Sequence, residues 1–493
     1  MSKKLEFNTK MKLNLGILMI LGVIGMVWAF FWNDGFNSHA RFWSNILLNT
    51  YYFAGIAVTG IFFITAHHLG YAGWQTVLKK IPMAMSKFLY VVFPIMVIIT
   101  IGVFMGEHDS LHNLYTHWAS EHGMADEIVA GKKSFLNPTV YAILVLGFFF
   151  LWALFAKLMH SKFMSIASLK EYKNTKALSA VFLVIFGVSS SVLSWIVVMS
   201  IDPHWYSTLF GWYNLASYFA AGFSMMALII IYLKSKGLLE AVKEDHIHDI
   251  AKYMFGFSVF WTYLWFSQFM LIWYANIPEA TVWFSKRFDV PLFKFILIFN
   301  LVINFAAPFL LILKRSSKRN FKMVSFVAVL LIIGHYLDFF GMIMLEPMNV
   351  PHHSAEKHDG HDAHGNNETS TVLYAEQAGE EHNHDAHSHN AETDHENHAH
   401  ETHIDTEVHE AIHNHTSTDK AHEASHDAHN ADGHHGEEHA KTNYASIGLP
   451  EIFIFLGFLG LFLFVVFSTL HDIELEVTED PFLKESLHHH FDY

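Results

Sequence analysis

The chain has 493 residues, 52% hydrophobic and 16% aromatic, with 46 Phe, 20 Met and 13 Trp but only 16% charged residues, where a soluble protein carries about 25% charge. A mean hydropathy of +0.26 excludes a soluble cytoplasmic enzyme, and the absence of Cys excludes disulfide staples, thiolate iron–sulfur ligation and thioether-attached haem within the chain. The net charge of −15 is unevenly distributed: residues 350–445 hold 21 Asp plus Glu against Lys357, Lys420 and Lys441, a balance of −18 that leaves the remainder at +3. No basic patch is interleaved with aromatics, so nucleic acid is not an expected partner.

Ten apolar segments are long enough to cross a hydrocarbon core of about 30 Å, which takes about 20 helical residues. They lie near 13–32, 43–69, 87–106, 137–159, 177–201, 207–233, 250–275, 291–314, 321–345 and 447–470. The first has no small-residue cleavage site and is too long for a signal peptide, so it is expected to be retained. Lys and Arg cluster at the amino terminus and in alternate connections: Lys79 and Lys80; Lys162, Lys170 and Lys173; Lys234, Lys236 and Lys243; Lys314, Arg315, Lys318 and Arg319. By the positive-inside rule both termini then face the cytoplasm and the acidic tract faces outward.

Segments two to five and six to nine share punctuation. Segments three and seven end at Gly106-Glu107-His108 and at Asn276-Ile277-Pro278-Glu279. Segments four and eight open at Asn137-Pro138 and Val290-Pro291, and segments five and nine end at Asp202-Pro203 and Glu346-Pro347. This pattern predicts an all-α polytopic membrane protein with two four-helix bundles related as parallel repeats, 43–205 and 206–349. A leading helix (1–42), a His-rich low-complexity loop (350–445) and a last helix with its tail (446–493) complete the organisation.

Ionisable groups at membrane depth are costly unless paired or hydrated, so each one needs a reason. In chain order, His67 and His68 close the second segment and are expected to cap it rather than bind haem. Glu107 with His108, Asp202 with His204, Glu279 and Glu346 gather at outward ends and are proton-transfer candidates, with helix capping as the competing reading. Ser267 and Gln268 bring hydrogen-bonding groups into an aromatic helix and are candidates for a quinone carbonyl. His335 and Asp338, three residues apart, share a helix face inside the ninth segment. They suggest proton exchange, with His335 also a quinone candidate, or else a structural polar pair. Residues 350–445 hold 22 of the 38 His, with pairs such as His382/His384 and His387/His389 that bind metal loosely. That tract is read as an outward metal or proton buffer, or as a tolerated insertion.

Three strings carry a resemblance: Ser194-Trp195 through Asp202-Pro203-His204-Trp205 to Gly211; Ser267-Gln268-Phe269-Met270-Leu271-Ile272-Trp273-Tyr274 to Glu279; and the tail from Asp480-Pro481-Phe482 to His488-His489-His490. Together they resemble the ActF-type membrane subunit of bacterial alternative complex III, a quinol:electron-acceptor oxidoreductase, and more broadly the NrfD/PsrC type. The resemblance covers the ten segments and the tail and stops at the His-rich tract. It implies partners: an ActC-like membrane subunit, iron–sulfur and haem c subunits and often a terminal cytochrome oxidase. It also implies contact with quinone or menaquinone, a proton path or docking role for this chain, and no haem or iron–sulfur cluster in it. The alternatives are a divalent metal transporter and a purely structural scaffold.

Overall fold

The computed structural model describes residues 4–31, 39–105, 114–119, 126–348 and 447–489. Regular structure among them is helical throughout, as lipid demands of a chain whose backbone polar groups must be satisfied within the segment. Ten helices are long and apolar enough to cross a membrane: α1 (Thr9–Phe31), α2 (Ala40–Leu69), α3 (Lys80–Met105), α4 (Pro138–Met164), α5 (Leu169–Ile201), α6 (Leu209–Ser235), α7 (Glu244–Ala275), α8 (Pro291–Ile312), α9 (Phe321–Ile343) and α10 (Leu449–His471). The chain is an all-α polytopic membrane protein. Each span matches an apolar segment of the sequence. The helices run longer than those segments where charged residues continue them, as at Glu244–Asp249 in the first turns of α7.

Local chemistry sets the ends. Asn137 accepts from the Val140 N–H (2.9 Å) with Pro138 in the first turn of α4. Ser168 and Glu171 cap α5 reciprocally, and Asn320 accepts from the N–H groups of Lys322 and Met323 ahead of α9. Helix α7 stops at Asn276, which adopts a left-handed conformation (φ 47°). A further amphipathic helix, Pro278–Asp289, lies between α7 and α8.

All described residues belong to one unit, Met1–His352 with Lys441–Tyr493. Within it α2 packs on α3, α4 and α5, and α6 packs on α7 and α9, with α8 against α9; α2 and α6 join the two groups. Helix α2 is buried on every side and α6 nearly so, whereas α1 and α7 bury a single stripe. Several buried polar residues of α2 return hydrogen bonds to the preceding turn, as Asn45 does to the Arg41 carbonyl (2.8 Å) and Asn49 to that of Asn45 (2.9 Å).

Helices α1 and α10 form their own pair. A Cβ on either Gly22 or Gly457 would run into the other's Cα, so the backbones touch there as small-residue helix contacts in lipid do. Where α10 begins, Arg41 and Glu451 form a buried two-point ion pair (Nε–Oε1 2.7 Å, second contact 2.8 Å).

At the opposite end of the bundle the tail folds back. Asp480 pairs with Lys79 (2.6 Å), Glu485 accepts from the Gly73 N–H (3.0 Å), and Ser486 bonds to the Trp74 carbonyl (2.6 Å).

Candidate functional site

A polar cluster inside the core is built from three helices. Asp338 on α9 is buried and accepts from the Tyr213 hydroxyl and from Ser217 Oγ (2.8 Å), both on α6, and from Trp261 Nε1 (2.8 Å) on α7. Asp338 and His335 share a face of α9, as their spacing predicted, and both turn inward. His335 lies 3.0 Å from Ser217 Oγ through Nδ1. The single hydroxyl proton of Ser217 goes to Asp338, so His335 Nδ1 must be the donor. A hydrogen-bonded string His335–Ser217–Asp338 results. His335 Nε2 is left as a buried acceptor with no partner among the described residues. The Trp261 ring stands edge-on to the imidazole with centroids 5.5 Å apart.

A small cavity of about 30 Å³ adjoins Asp338, bounded by Tyr213, Trp265, Arg287, Asn300 and Gly341 among others. That volume holds about one water. Arg287 is buried on its far wall, 3.4 Å above the Trp283 ring, and donates to the Trp283 (2.7 Å) and Gly341 (3.2 Å) carbonyls. Burial pulls its guanidinium down to about 10, so it stays charged and offsets the buried carboxylate.

Next to it in sequence, Lys286 leads to the surface, bridging Asp202 (3.2 Å) and Glu346 (2.6 Å). Burial alone would lower the Lys286 ammonium, but Glu346 and Asp202 more than offset it and hold the group above its ordinary value. His204 continues outward. It bonds Asp126 (2.8 Å) and lies 3.9 Å from Asp202. The His204 hydrogen bond, with the N–H groups of Val129 and Ile128, holds Asp126 below the usual carboxylate range.

Of the sequence-predicted residues, Asp202, His204 and Glu346 therefore gather at one end, with His335 and Asp338 inside the bundle from that end. Glu279 does not join them: it is exposed in the first turn of Pro278–Asp289, where a carboxylate meets the helix dipole. Glu107 and His108 lie outside the described residues, as do His382, His384, His387 and His389. Among the described residues no group of three or more His, Asp or Glu could hold a metal ion.

Two expectations need correction. His67 and His68 do not cap α2. His67 bonds the Phe63 carbonyl (2.7 Å) and the Tyr253 hydroxyl (2.9 Å), while His68 bonds the Tyr172 carbonyl (3.0 Å) and Thr175 (2.9 Å). They tie α2 to α7 and α5 because adjacent helical residues point to different neighbours. The quinone candidates Ser267, Gln268 and His335 are also not joined in one site. Gln268 is buried on the same stripe of α7 as Trp261, Ser267 is half-buried on another face, and the space by Asp338 is water-sized. Gln268 Nε2 is a buried donor with no partner among the described residues.

Tyr213, Ser217, Trp261, Lys286 and Arg287 were missed. Lys286 and Arg287 carried a signal, as cations in an otherwise cation-poor connection. The other three are common membrane-helix residues, and only the fold aims them at Asp338. No family profile and no curated protein sequence matches the chain.

Proposed function

We propose that this protein is an integral subunit of a quinol-oxidising respiratory complex of the alternative complex III kind. Its part is to carry protons between one membrane face and a buried carboxylate while redox centres reside in partner subunits. The observation that carries the reading is the buried string His335–Ser217–Asp338, bordered at Asp338 by a water-sized cavity whose wall includes Arg287, the sequence neighbour of Lys286 in the charged cluster at one end of the bundle. A buried carboxylate holding three donors at once keeps its proton-accepting oxygens fixed. The serine hydroxyl between it and His335 both accepts and donates, which is what a hop from one to the other requires. The open Nε2 of His335 is the next acceptor inward. The cluster Asp126–His204–Asp202–Lys286–Glu346 collects or releases protons at the surface.

The resemblance noted in the sequence supplies the rest: an ActC-like subunit, iron–sulfur and haem c subunits and a menaquinone pool as the setting. Cations at the tail-bearing end of the bundle, among them Lys79, Lys80, Lys243 and Arg319, favour that end as cytoplasmic. A bacterial inner membrane with the His-rich loop outside completes the reading.

The test uses the intact assembly reconstituted in vesicles, with proton release followed as quinol is oxidised. Asp338→Asn is expected to lower coupled proton release by about tenfold or more while the subunits still purify together. Unchanged proton release in an intact complex would reduce this chain to a scaffold.

A further inference from the structure

A second feature lies at the tail-bearing end of the bundle, where the segment ahead of α1 meets α6 and α10. That segment alternates: Leu5 and Phe7 are buried, while Lys4, Glu6 and Asn8 are exposed. The apolar pair pins it to α10. The Leu5 carbonyl accepts from His471 Nδ1 (2.7 Å), and the Phe7 ring meets Phe464 edge-on with centroids 5.5 Å apart. The polar residues line a cavity of about 630 Å³ whose wall also carries Lys10 from α1 and Lys236 from the end of α6. Three ammonium groups against the single Glu6 carboxylate leave the cavity with a balance of +2. Lys4, Lys10 and Lys236 have no ion-pair partner among the described residues. A second cavity, about 470 Å³ with apolar walls, adjoins the first, since Met11, Asn14 and Tyr232 line both. Both volumes are in the range of small-molecule sites, about 300–1,000 Å³. The apolar one follows α10 from Phe467 to Phe455, about 18 Å at about 1.5 Å per residue. That is roughly one leaflet of a hydrocarbon core of about 30 Å. Val329 and Ile333 of α9 are 45% and 43% exposed along it, so the crevice opens sideways to lipid.

We infer that the two cavities together bind one anionic phospholipid, its phosphodiester among Lys4, Lys10 and Lys236 and an acyl chain in the crevice below. Basic pockets between membrane helices hold phosphate headgroups in this way, because the charge attraction adds to the burial of the chain. The lysines carry the recognition rather than the helix end, since Asn8 Oδ1 already takes the Met11 N–H (2.9 Å). Tyr232 marks the border between the two halves. Its hydroxyl reaches Met11 Sδ (3.9 Å), and Lys236 Nζ stands 5.6 Å from its ring centroid. A free phosphate leaves the crevice unused, and a lipid of no net charge leaves the balance of +2 uncompensated. Only a negatively charged head joined to a hydrocarbon chain satisfies both. The site shares no residue with Asp338 and its partners, so the inference does not depend on the proposed proton relay.

The experiment places the full chain, in its purified assembly, in phosphatidylcholine vesicles doped with phosphatidylglycerol that carries a diazirine on one acyl chain. Labelled peptides are read by mass spectrometry. Saturable labelling within 225–232 and 455–467 is expected, displaced by unlabelled phosphatidylglycerol but not by phosphatidylethanolamine or excess inorganic phosphate. Lys10→Gln and Lys236→Gln are each expected to weaken binding about fivefold, and the double variant more than either. Both side chains are exposed, so the fold is not at stake. Lys170→Gln removes an exposed charge at the start of α5, outside both cavities, and is expected to leave binding unchanged. Labelling that does not saturate or falls elsewhere, wild-type affinity in the double variant, equal displacement by phosphatidylethanolamine, displacement by inorganic phosphate, or an equal loss in Lys170→Gln would each overturn the inference.

Discussion

Arg41 and Glu451 meet at the buried mouth of α10, where each charge is tolerable only because of the other. Glu451 also accepts from Asn45 (3.2 Å) and from the Gly448 N–H (2.8 Å), so its removal strands three donors. Glu451→Ala is expected to cost about 3–5 kcal/mol, read as a lowered unfolding midpoint in detergent. The double change Arg41→Met with Glu451→Leu should recover most of that loss. A double variant as unstable as the single one would refute the pairing argument. The Lys286 bridge behaves differently with pH. Its folded value is raised, so its stabilisation is complete below the unfolded value of about 10.5 and is lost only as pH rises through the folded one. The bridge therefore holds across neutral pH and is lost only in strongly alkaline solution.

Between elements, close approach matters more than apolar area, since lipid tails compete equally well for apolar side chains. Gly457→Leu forces α10 off α1 at a backbone-to-backbone contact that cannot yield. A lower unfolding midpoint and loss of disulfide trapping between Cys pairs introduced across the two helices would report the separation, and trapping at wild-type efficiency would contradict it. The tail has a softer fit: a Cβ on Gly73 would lie 2.6 Å from the Glu485 carboxylate, the movable end of its side chain, and would push it off the Gly73 N–H. Gly73→Val should release the tail and speed tryptic cleavage after Lys484, which is already exposed. Equal cleavage rates would mean that Lys79 on Asp480, Lys80 on the Glu476 carbonyl (2.6 Å) and Lys243 on the Leu487 carbonyl (2.6 Å) hold the tail without help.

Across the whole molecule, the body comprises Met1–His352 with Lys441–Tyr493, and the tract between has no apolar run with which to build a core. Replacing His353–Ala440 by a Gly/Ser linker of similar length is expected to leave the unfolding midpoint of the body unchanged while removing any loose metal binding. A marked drop in the midpoint would show that the tract braces the body. The ten spans and the polar spacing of His335 and Asp338 were legible in the sequence, because hydropathy and helical period are local properties that lipid enforces segment by segment. The partners of Asp338 were not legible. Tyr213, Ser217 and Trp261 lie far from it in the chain, and what each side chain faces is decided by how α6, α7 and α9 rotate against one another. The same holds for Glu279, which the sequence grouped with Asp202 and Glu346 as acids at outward ends but which lies on the exposed side of a helix. Sequence determined which stretches enter the membrane, since that depends on the free energy of each segment in lipid. Tertiary structure decided which buried groups meet, since that depends on packing between helices distant in the chain.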